Sequence, residues 1–538
     1  MGRVYPEEIR LRDKIRGFLT SGGFIAFFVF LLAAAFYLLT LSSNFADEFE
    51  FFDQAMEIEG RSTEPLPLTP NHLLWVPIGK LLWHMARLFG YTGGSFLPLQ
   101  VFDALLSALV IALYFLILLR LTGNRSLSLI LSLCMASTHY WWSISVQMRP
   151  YSFGALMLLL SFSLLAFRNS AKATAASSLA FTLAALDHLS STTFFPAALV
   201  LILMKAPSLR EKGQRLAIFL GIFSLSLFLL VPLIGQWTIL PPRFAPSLGA
   251  TLQATYYLCR MFTPMMDFVR LFGSYLWGFL LMFAPEPSPF PIFTAAKGLN
   301  LSLLILCGLL PILFLFKKKK QLLPEILSLS TWVLFSMAIH YVAAPLCFGA
   351  VFGFFPLFAL LGILALQVFG PRIRYVFYLY FLILASGLLC GVLFNVRLQA
   401  KNHLSEDLWA RARYYQEKGI LHRNDVVICS QFPLIGFLQY EIGCKGLDPR
   451  RIVQDDRQGT SLPLLVESRI KSPERILYLK FDGPHLGTFD DANGRNEDTD
   501  SLSLEIIRKY YTLHLLLNGP QEEKVYLLKP IEKAQPGL

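Results

Sequence analysis

Apolar runs of about twenty residues alternate with short basic or polar turns over most of residues 20–395. Twenty residues is about the length an α-helix needs to cross the hydrocarbon layer. A helix also satisfies its own backbone polar groups there. Spans are expected at about 22–42, 98–121, 126–145, 151–168, 174–190, 192–205, 216–237, 298–316, 323–343, 346–369 and 375–395. The pattern predicts an α-helical polytopic membrane protein of about eleven transmembrane helices. The first run follows Arg3, Arg10, Arg12, Lys14 and Arg16. It is too long for a signal-peptide core and lacks a convincing cleavage site, so it reads as a retained helix with a cytoplasmic N-terminus. The turns then assigned to the cytoplasm carry Arg120 and Arg125, Arg168 and Lys172, Lys205 to Arg215, Lys317 to Lys320, and Arg372 with Arg374. An odd number of spans puts the C-terminus outside. That parity hangs on the short apolar pair flanking Asp187 and His188.

Two long loops are expected on the outer side, 43–97 and 238–297, and both carry amphipathic stretches. Within 45–59, Phe45, Phe49, Phe52 and Met56 recur at helical spacing, while Asp47, Glu50, Gln54 and Glu57 take another face. Within 71–89, Lys80, His84 and Arg87 share one side and Leu74, Ile78, Leu81 and Met85 the other. Helices of this kind lie in a membrane interface. Arg260 and Arg270 sit in an aromatic-rich amphipathic part of the second loop.

From residue 396 onward the pattern changes to that of a small soluble α/β domain. Ser405 is a good N-cap for a helix over 406–418, with Gly419 just past its end. Strands are expected at Asp425–Ser430, Arg475–Phe481, Tyr511–Leu517 and Lys524–Lys529, with a polar loop over 482–500. The domain boundary therefore falls between 395 and 396, with loops 43–97 and 238–297 belonging to the membrane domain.

Charge placement refines this picture. The chain has a net charge of +11, which alone would admit a nucleic-acid partner. Residues 396–538, however, hold 20 Lys+Arg against 20 Asp+Glu, so the whole surplus lies in the membrane part. That is the positive-inside distribution, and no nucleic-acid partner is expected. The 7 cysteines show no metal-ligand spacing. Cys429 and Cys444 lie in a domain placed in an oxidising compartment, where a disulfide and two buried thiols are equally open readings.

Candidate chemistry concentrates in the first outer loop, where Asp47, Glu48, Glu50, Asp53, Glu57, Glu59 and Glu64 face a single basic residue, Arg61. Most acidic groups there need no explanation beyond solvation. Asp47 differs by standing at the end of the first span, where partial desolvation makes a carboxylate a better base near neutral pH. Asp187 and His188 are either membrane-embedded ionisable residues, which mark function, or an outer-interface pair. In the tail, Asp491, Asn493, Gly494, Glu497 and Asp500 partly mimic a calcium loop, but Phe489 stands at its first ligand position, so no metal site is assigned. No phosphate-cradling glycine loop appears, which disfavours a nucleotide-sugar donor. Two functions from different classes remain: surface chemistry on a lipid-linked saccharide, or transport of one. A transporter should line a path through the membrane with polar groups. The spans are nearly devoid of charge and no internal repeat is apparent, which favours surface chemistry.

The segment Asp47-Glu48-Phe49-Glu50-Phe51, directly after the first span, resembles the acidic opening of bacterial GT-C membrane glycosyltransferases. It is also similar to the acidic pair of protein O-mannosyltransferases and of the lipid A aminoarabinose transferase. Pro70-Asn71-His72-Leu73-Leu74-Trp75-Val76-Pro77 resembles the stretch leading into that family's interfacial helix. His139 to Ser143 and Arg149 to Ser152 resemble its third-to-fourth helix turn, Ala185 to Ser190 its fifth helix end, and His340-Tyr341 before Pro345 its late Arg-Tyr segment. The likeness covers about 20–395 and departs from the family at three places. Leu73 and Leu74 replace prolines, Met148-Arg149 replaces an acidic residue, and His340 replaces the late arginine. The resemblance implies transfer of a sugar from a polyprenyl-phosphate donor to a hydroxyl of a glycan, glycolipid or protein acceptor, on the outer face of a bacterial inner membrane. It implies Asp47 as base, with Glu48 or Glu50 next in line to act as base. Glu50 would otherwise orient the acceptor or hold a divalent ion; no cofactor is certain. Substrate-binding candidates are His72, Lys80, His84, Arg149, Asp187, His188, Arg243, Arg260, Arg270 and His340. For each arginine the plainer reading is a side chain snorkelling from a helix end.

Overall fold

The computed structural model describes residues 22–41, 50–61, 73–149, 151–237, 322–343, 351–368, 374–401, 404–429, 432–447, 452, 456, 461–469, 475–481, 499–518 and 523–531. The chain divides into two units, Met1–Ser42 with Thr63–Ala400, and Ser43–Ser62 with Lys401–Leu538.

The first unit is helical. Its elements are α1 (Gly22–Leu39), α3 (Trp75–Leu88), α4 (Phe96–Thr122), α5 (Arg125–Ser137), α6 (His139–Val146), α7 (Ser152–Phe167), α8 (Ala171–Asp187), a 3-10 turn (Leu189–Phe194), α9 (Phe195–Lys205), α10 (Leu209–Trp237), α11 (Leu323–Ala343), α12 (Val351–Val368) and α13 (Arg374–Lys401). Helix α2 (Glu50–Ile58) belongs to the second unit. Three described helices are long and apolar enough to cross a membrane: Gly22–Leu39, Phe96–Thr122 and Leu209–Leu230. Shorter apolar helices accompany them, among them Ser152–Phe167 and Phe352–Leu366. The expected span at 298–316 lies outside the described residues.

Local chemistry explains where these helices start and stop. Gly123 ends α4 in the left-handed conformation (φ 68°), which glycine adopts without Cβ strain. Asn124 then caps α5, its side chain accepting from Leu127 N–H at 3.0 Å. Ser170 caps α8 in the same way, accepting from Ala173 N–H at 3.1 Å.

The span expected as one helix over 126–145 is two helices. The chain leaves α5 at Thr138 (φ −59°, ψ 140°), whose hydroxyl accepts from Trp141 N–H at 3.4 Å and starts α6. A break inside an apolar environment frees carbonyls that need partners. Asn395 on α13 supplies one, donating to Ser137 O at 2.8 Å.

Small and hydroxyl-bearing residues set the tight contacts. Ser161 and Ser177 stand 2.8 Å apart across α7 and α8. Between apolar helices, small residues and such hydroxyl bonds replace the missing hydrophobic drive. Aromatic side chains fill the remainder: Tyr114 donates to Phe355 O at 2.6 Å and meets the Phe355 ring edge-on at 5.1 Å. Facing outward, Phe27, Phe28 and Leu31 of α1 and Leu225, Phe228 and Leu229 of α10 are exposed apolar residues suited to lipid.

The second unit holds a five-stranded sheet in the order β2-β1-β3-β5-β4. Its elements are α14 (Leu404–Glu417), β1 (Val426–Cys429), α15 (Phe432–Ile442), β2 (Lys445–Leu447), α16 (Leu462–Arg469), β3 (Ile476–Phe481), α17 (Thr499–Tyr510), β4 (Tyr511–Asn518) and β5 (Glu523–Pro530). Strands β2, β1 and β3 run parallel, and β5 runs antiparallel to both β3 and β4. All four residues of β1 are buried, as a central parallel strand requires. Ser405 lies inside the first turn of α14, which begins at Leu404, so it is not the N-cap expected.

Cys429 and Cys444 are both buried, and neither is joined in a disulfide. The register pairs Ile428 with Leu447 and Val426 with Lys445, which sets the two cysteines four positions apart along adjacent strands. At about 3.3 Å per residue that is roughly 13 Å, well beyond disulfide reach. Burial pushes the Cys444 thiol up to about 12, with the nearby Asp425 charge adding to the effect. A group whose folded pKa is raised stabilises the fold below its ordinary range and loses that contribution as pH climbs toward the raised value. The second unit is therefore expected to weaken between about pH 9 and 12, and Cys444→Ala to flatten that slope. Urea unfolding at pH 8 and pH 10.5 checks both.

Candidate functional site

Three residues singled out from the sequence come together in the first unit, around the turn that leads into α7. Arg149 is fully buried, and its Nε donates to Gln147 Oε1 at 2.6 Å. It does not snorkel. Its backbone N–H donates to Asp103 Oδ2 at 2.9 Å. Asp187, also fully buried, closes α8 and accepts from Gly154 N–H at 2.7 Å. Gly154 is the third residue of α7, so a carboxylate from a neighbouring helix performs the N-terminal capping that Tyr151 does not. His188 follows with its ring 4.4 Å from that of Tyr151, and both rings lie against Phe352 of α12. Its Nδ1 accepts from Ser190 N–H at 3.1 Å, which fixes the ring at the head of the 3-10 turn. Gln100 and Ser107 complete the frame. Gln100 donates to Val146 O at 3.0 Å, and the Ser107 hydroxyl meets that of Ser152 at 2.7 Å.

Asp103 was not foreseen. The apolar run that marks α4 hides it, and the expectation that the spans carry almost no charge fails at this residue. A lone carboxylate inside a 27-residue apolar helix is itself a signal. Asp103 Oδ1 and Asp187 Oδ1 are buried with no hydrogen-bond partner among the described residues. Two carboxylates and one guanidinium are thus buried around the same turn.

Helix α3 is tied to this cluster at its start, where Leu74 N–H donates to Leu186 O at 3.2 Å. Trp75, Val76 and Gly79 form its buried face, while Leu81, Met85 and Leu88 are exposed. Lys80 is half-buried and His84 exposed. His84 Nδ1 lies 2.6 Å from Lys80 O, so that nitrogen carries the proton and Nε2 points away from the backbone.

The other candidates fall elsewhere. Asp47, Glu48, His72, Arg243, Arg260 and Arg270 lie outside the described residues. His340 is on the last turns of α11 and Glu50 is the first residue of α2. In the stretch 45–59, Ala55 and Ile58 are buried as α2 packs on α15. Gln54, expected on the polar face, is buried with them. Among the described residues no three His, Cys, Asp or Glu side chains group as metal ligands.

No family model matches the chain, and no curated protein sequence matches it either. Solved structures do. The crystal structure of ArnT from Cupriavidus metallidurans bound to undecaprenyl phosphate superposes with a TM-score of 0.50, covering 94% of this chain and 98% of that one at 11% identity. This chain has the GT-C fold. The Archaeoglobus fulgidus oligosaccharyltransferase, in complex with zinc and sulfate, shares the GT-C fold with a TM-score of 0.50 at 11% identity, over 93% of this chain and 72% of that one. The resemblance carried by residues 47–51 and 139–152 is thus matched by a likeness of architecture along nearly the whole chain.

Proposed function

We propose that this GT-C protein is a membrane glycosyltransferase that moves a sugar from a polyprenyl-phosphate donor to a hydroxyl acceptor on the outer face of a bacterial inner membrane. The observation that carries the reading is the likeness, over 94% of the chain, to a protein solved with undecaprenyl phosphate bound. In the reading, Asp47 takes the proton from the acceptor hydroxyl. The acceptor oxygen attacks the anomeric carbon, and the carbon–oxygen bond to phosphate breaks in the same inverting displacement. Polyprenyl phosphate leaves with the electron pair. Glu48 or Glu50 stands next in line as base, and Glu50 otherwise orients the acceptor. Arg149, at the head of α7, is the described cation best placed by burial to stabilise a phosphate, since charge interactions strengthen where water is excluded. Lys80 and His84 on α3, with His72, Arg243, Arg260, Arg270 and His340, are further candidates for holding donor or acceptor. Asp187 and His188 shape the binding turn. Glu50 is also where a divalent ion would be held.

Asp47→Asn is the direct test. With polyprenyl-phosphate sugar supplied in membranes, transfer should fall by about 10²- to 10⁴-fold, the usual contribution of a positioned base. Wild-type turnover in that variant would remove Asp47 from the mechanism. A wild type that binds the lipid donor without cleaving it would favour transport.

A further inference from the structure

The acidic motif at 47–50 runs into α2, whose first residue is Glu50, and α2 belongs to the second unit. Three contacts hold it there. Its Ala55 and Ile58 are buried, 0% and 2% exposed, in the packing of α2 on α15. The Tyr440 hydroxyl of α15 donates to Glu59 Oε1 at 2.6 Å. Arg61 lies over the Tyr440 ring at 4.7 Å, donates to the Tyr440 carbonyl, and pairs with Glu59 at 3.1 Å. Tyr440 thus engages the segment through its hydroxyl, its ring and its carbonyl, while Glu59 and Arg61 brace one another. The same segment is continuous with α1 on its other side, and only residues 40–49 separate the end of α1 from the first residue of α2.

We propose that residues 54–61 form a latch by which the C-terminal domain positions the Asp47–Glu50 motif, with Tyr440 as the positioning residue on the domain side. The role given to the motif rests on the function proposed above; the latch itself rests on the contacts just described. A motif strung between a membrane helix and a free loop would sample many placements. An anchor whose first buried residue, Gln54, lies seven residues beyond Asp47 narrows them, and positional error of about 1 Å can cost about a hundredfold in rate. The domain thereby acts on turnover without supplying a reacting group. Its lack of any site motif of its own fits that role.

The test changes the latch from the segment side, so that the domain keeps all of its own residues. Ala55→Cys serves as the reporter in the full-length protein, with labelling at that position by a membrane-impermeant maleimide read by mass spectrometry. The thiol should be protected in the parent and labelled at least about tenfold faster when Glu59→Ala and Arg61→Ala are added. In the same double variant kcat should fall about ten- to a hundredfold with little change in KM for the lipid donor. Glu59→Gln, which still accepts from the Tyr440 hydroxyl, should restore protection and most of kcat when Arg61 is kept. Equal labelling in parent and double variant would overturn the latch. Release of the segment with kcat unchanged would overturn its positioning role. Should the parent transfer no sugar, the function proposed above fails, while the labelling comparison still decides whether the latch exists.

Discussion

Gly154→Ala is expected to destabilise the helical unit by about 1–3 kcal/mol and to cut transfer activity by more than that stability loss alone would predict. A Cβ on residue 154 would lie 2.9 Å from Asp187 Oδ2, 3.5 Å from Ala184 O and 3.5 Å from Ser191 Oγ. The first distance is shorter than carbon–oxygen contact allows. Asp187 has little freedom to yield, because the same oxygen accepts the Gly154 N–H at 2.7 Å and the residue is fully buried at the end of α8. Either the hydrogen bond stretches or α7 and α8 move apart at this end. Each outcome disturbs the turn on which Arg149, Tyr151 and His188 are mounted. Gly221→Ala on α10 provides the control, since nothing lies within 4 Å of the added carbon and a helix-interior alanine should stabilise by about 0.5–1 kcal/mol. Thermal unfolding in detergent and donor turnover measure both. A Gly154→Ala protein with parent Tm and parent rate would show that the Asp187 cap has no bearing on the site.

The membrane part was legible in sequence because its signal is coarse. A run of twenty apolar residues fixes a helix within a few positions, and α4, α7, α9, α11 and α13 fall close to the expected spans. What escaped depends on single residues inside such runs. Thr138 breaks a helix without proline or glycine, and it does so by offering its hydroxyl to Trp141 N–H, a local exchange that averaged hydropathy cannot register. Asp103 is diluted in the same way, although a carboxylate in a 27-residue apolar helix should have stood out. Arg149, Asp187 and His188 were each visible as ionisable residues at helix ends. Their convergence was not visible, because it depends on how α7 and α8 pack. In the second unit the longer strands carried enough β-branched and aromatic residues to be seen. Strand β2 is three residues, Lys445–Leu447, containing a glycine, and it exists because β1 offers it a parallel edge. The amphipathic stretch at 45–59 shows the limit most clearly. Periodicity identifies an apolar face but not its partner, and here α2 packs on α15 while Gln54, from the polar side of the pattern, is buried.

Arg475→Met should cost the second unit about 3 kcal/mol, a large share of the stability of any single domain. Asp425 is fully buried, and Arg475 grips it with two bonds, Nε to Oδ1 at 3.0 Å and Nη2 to Oδ2 at 2.6 Å. His422 N–H adds a third at 2.7 Å. The pair sits where three parallel strands begin: Val426 N–H donates to Arg475 O and Lys445 N–H to Asp425 O, both at 2.9 Å. Methionine keeps much of the apolar stem but leaves the carboxylate buried with one donor. Removing one partner of such a pair is more damaging than removing both. The arginine side chain is 27% exposed, so water screens part of the interaction and the lower end of the usual range applies. The order of stability should therefore be parent, then Asp425→Asn with Arg475→Met, then Arg475→Met alone, because a neutral amide is cheaper to bury than an unpaired carboxylate. Alkylation of the buried Cys444 thiol during urea titration of the full-length protein reports this unit locally. If Arg475→Met left that midpoint unchanged, the ion pair would have no part in holding β1, β2 and β3 in register. Loss of that register would also loosen α15, which packs on β1 and β2 and carries Tyr440, so the same substitution should expose the Ala55→Cys reporter of the α2 latch at urea concentrations where the parent still protects it.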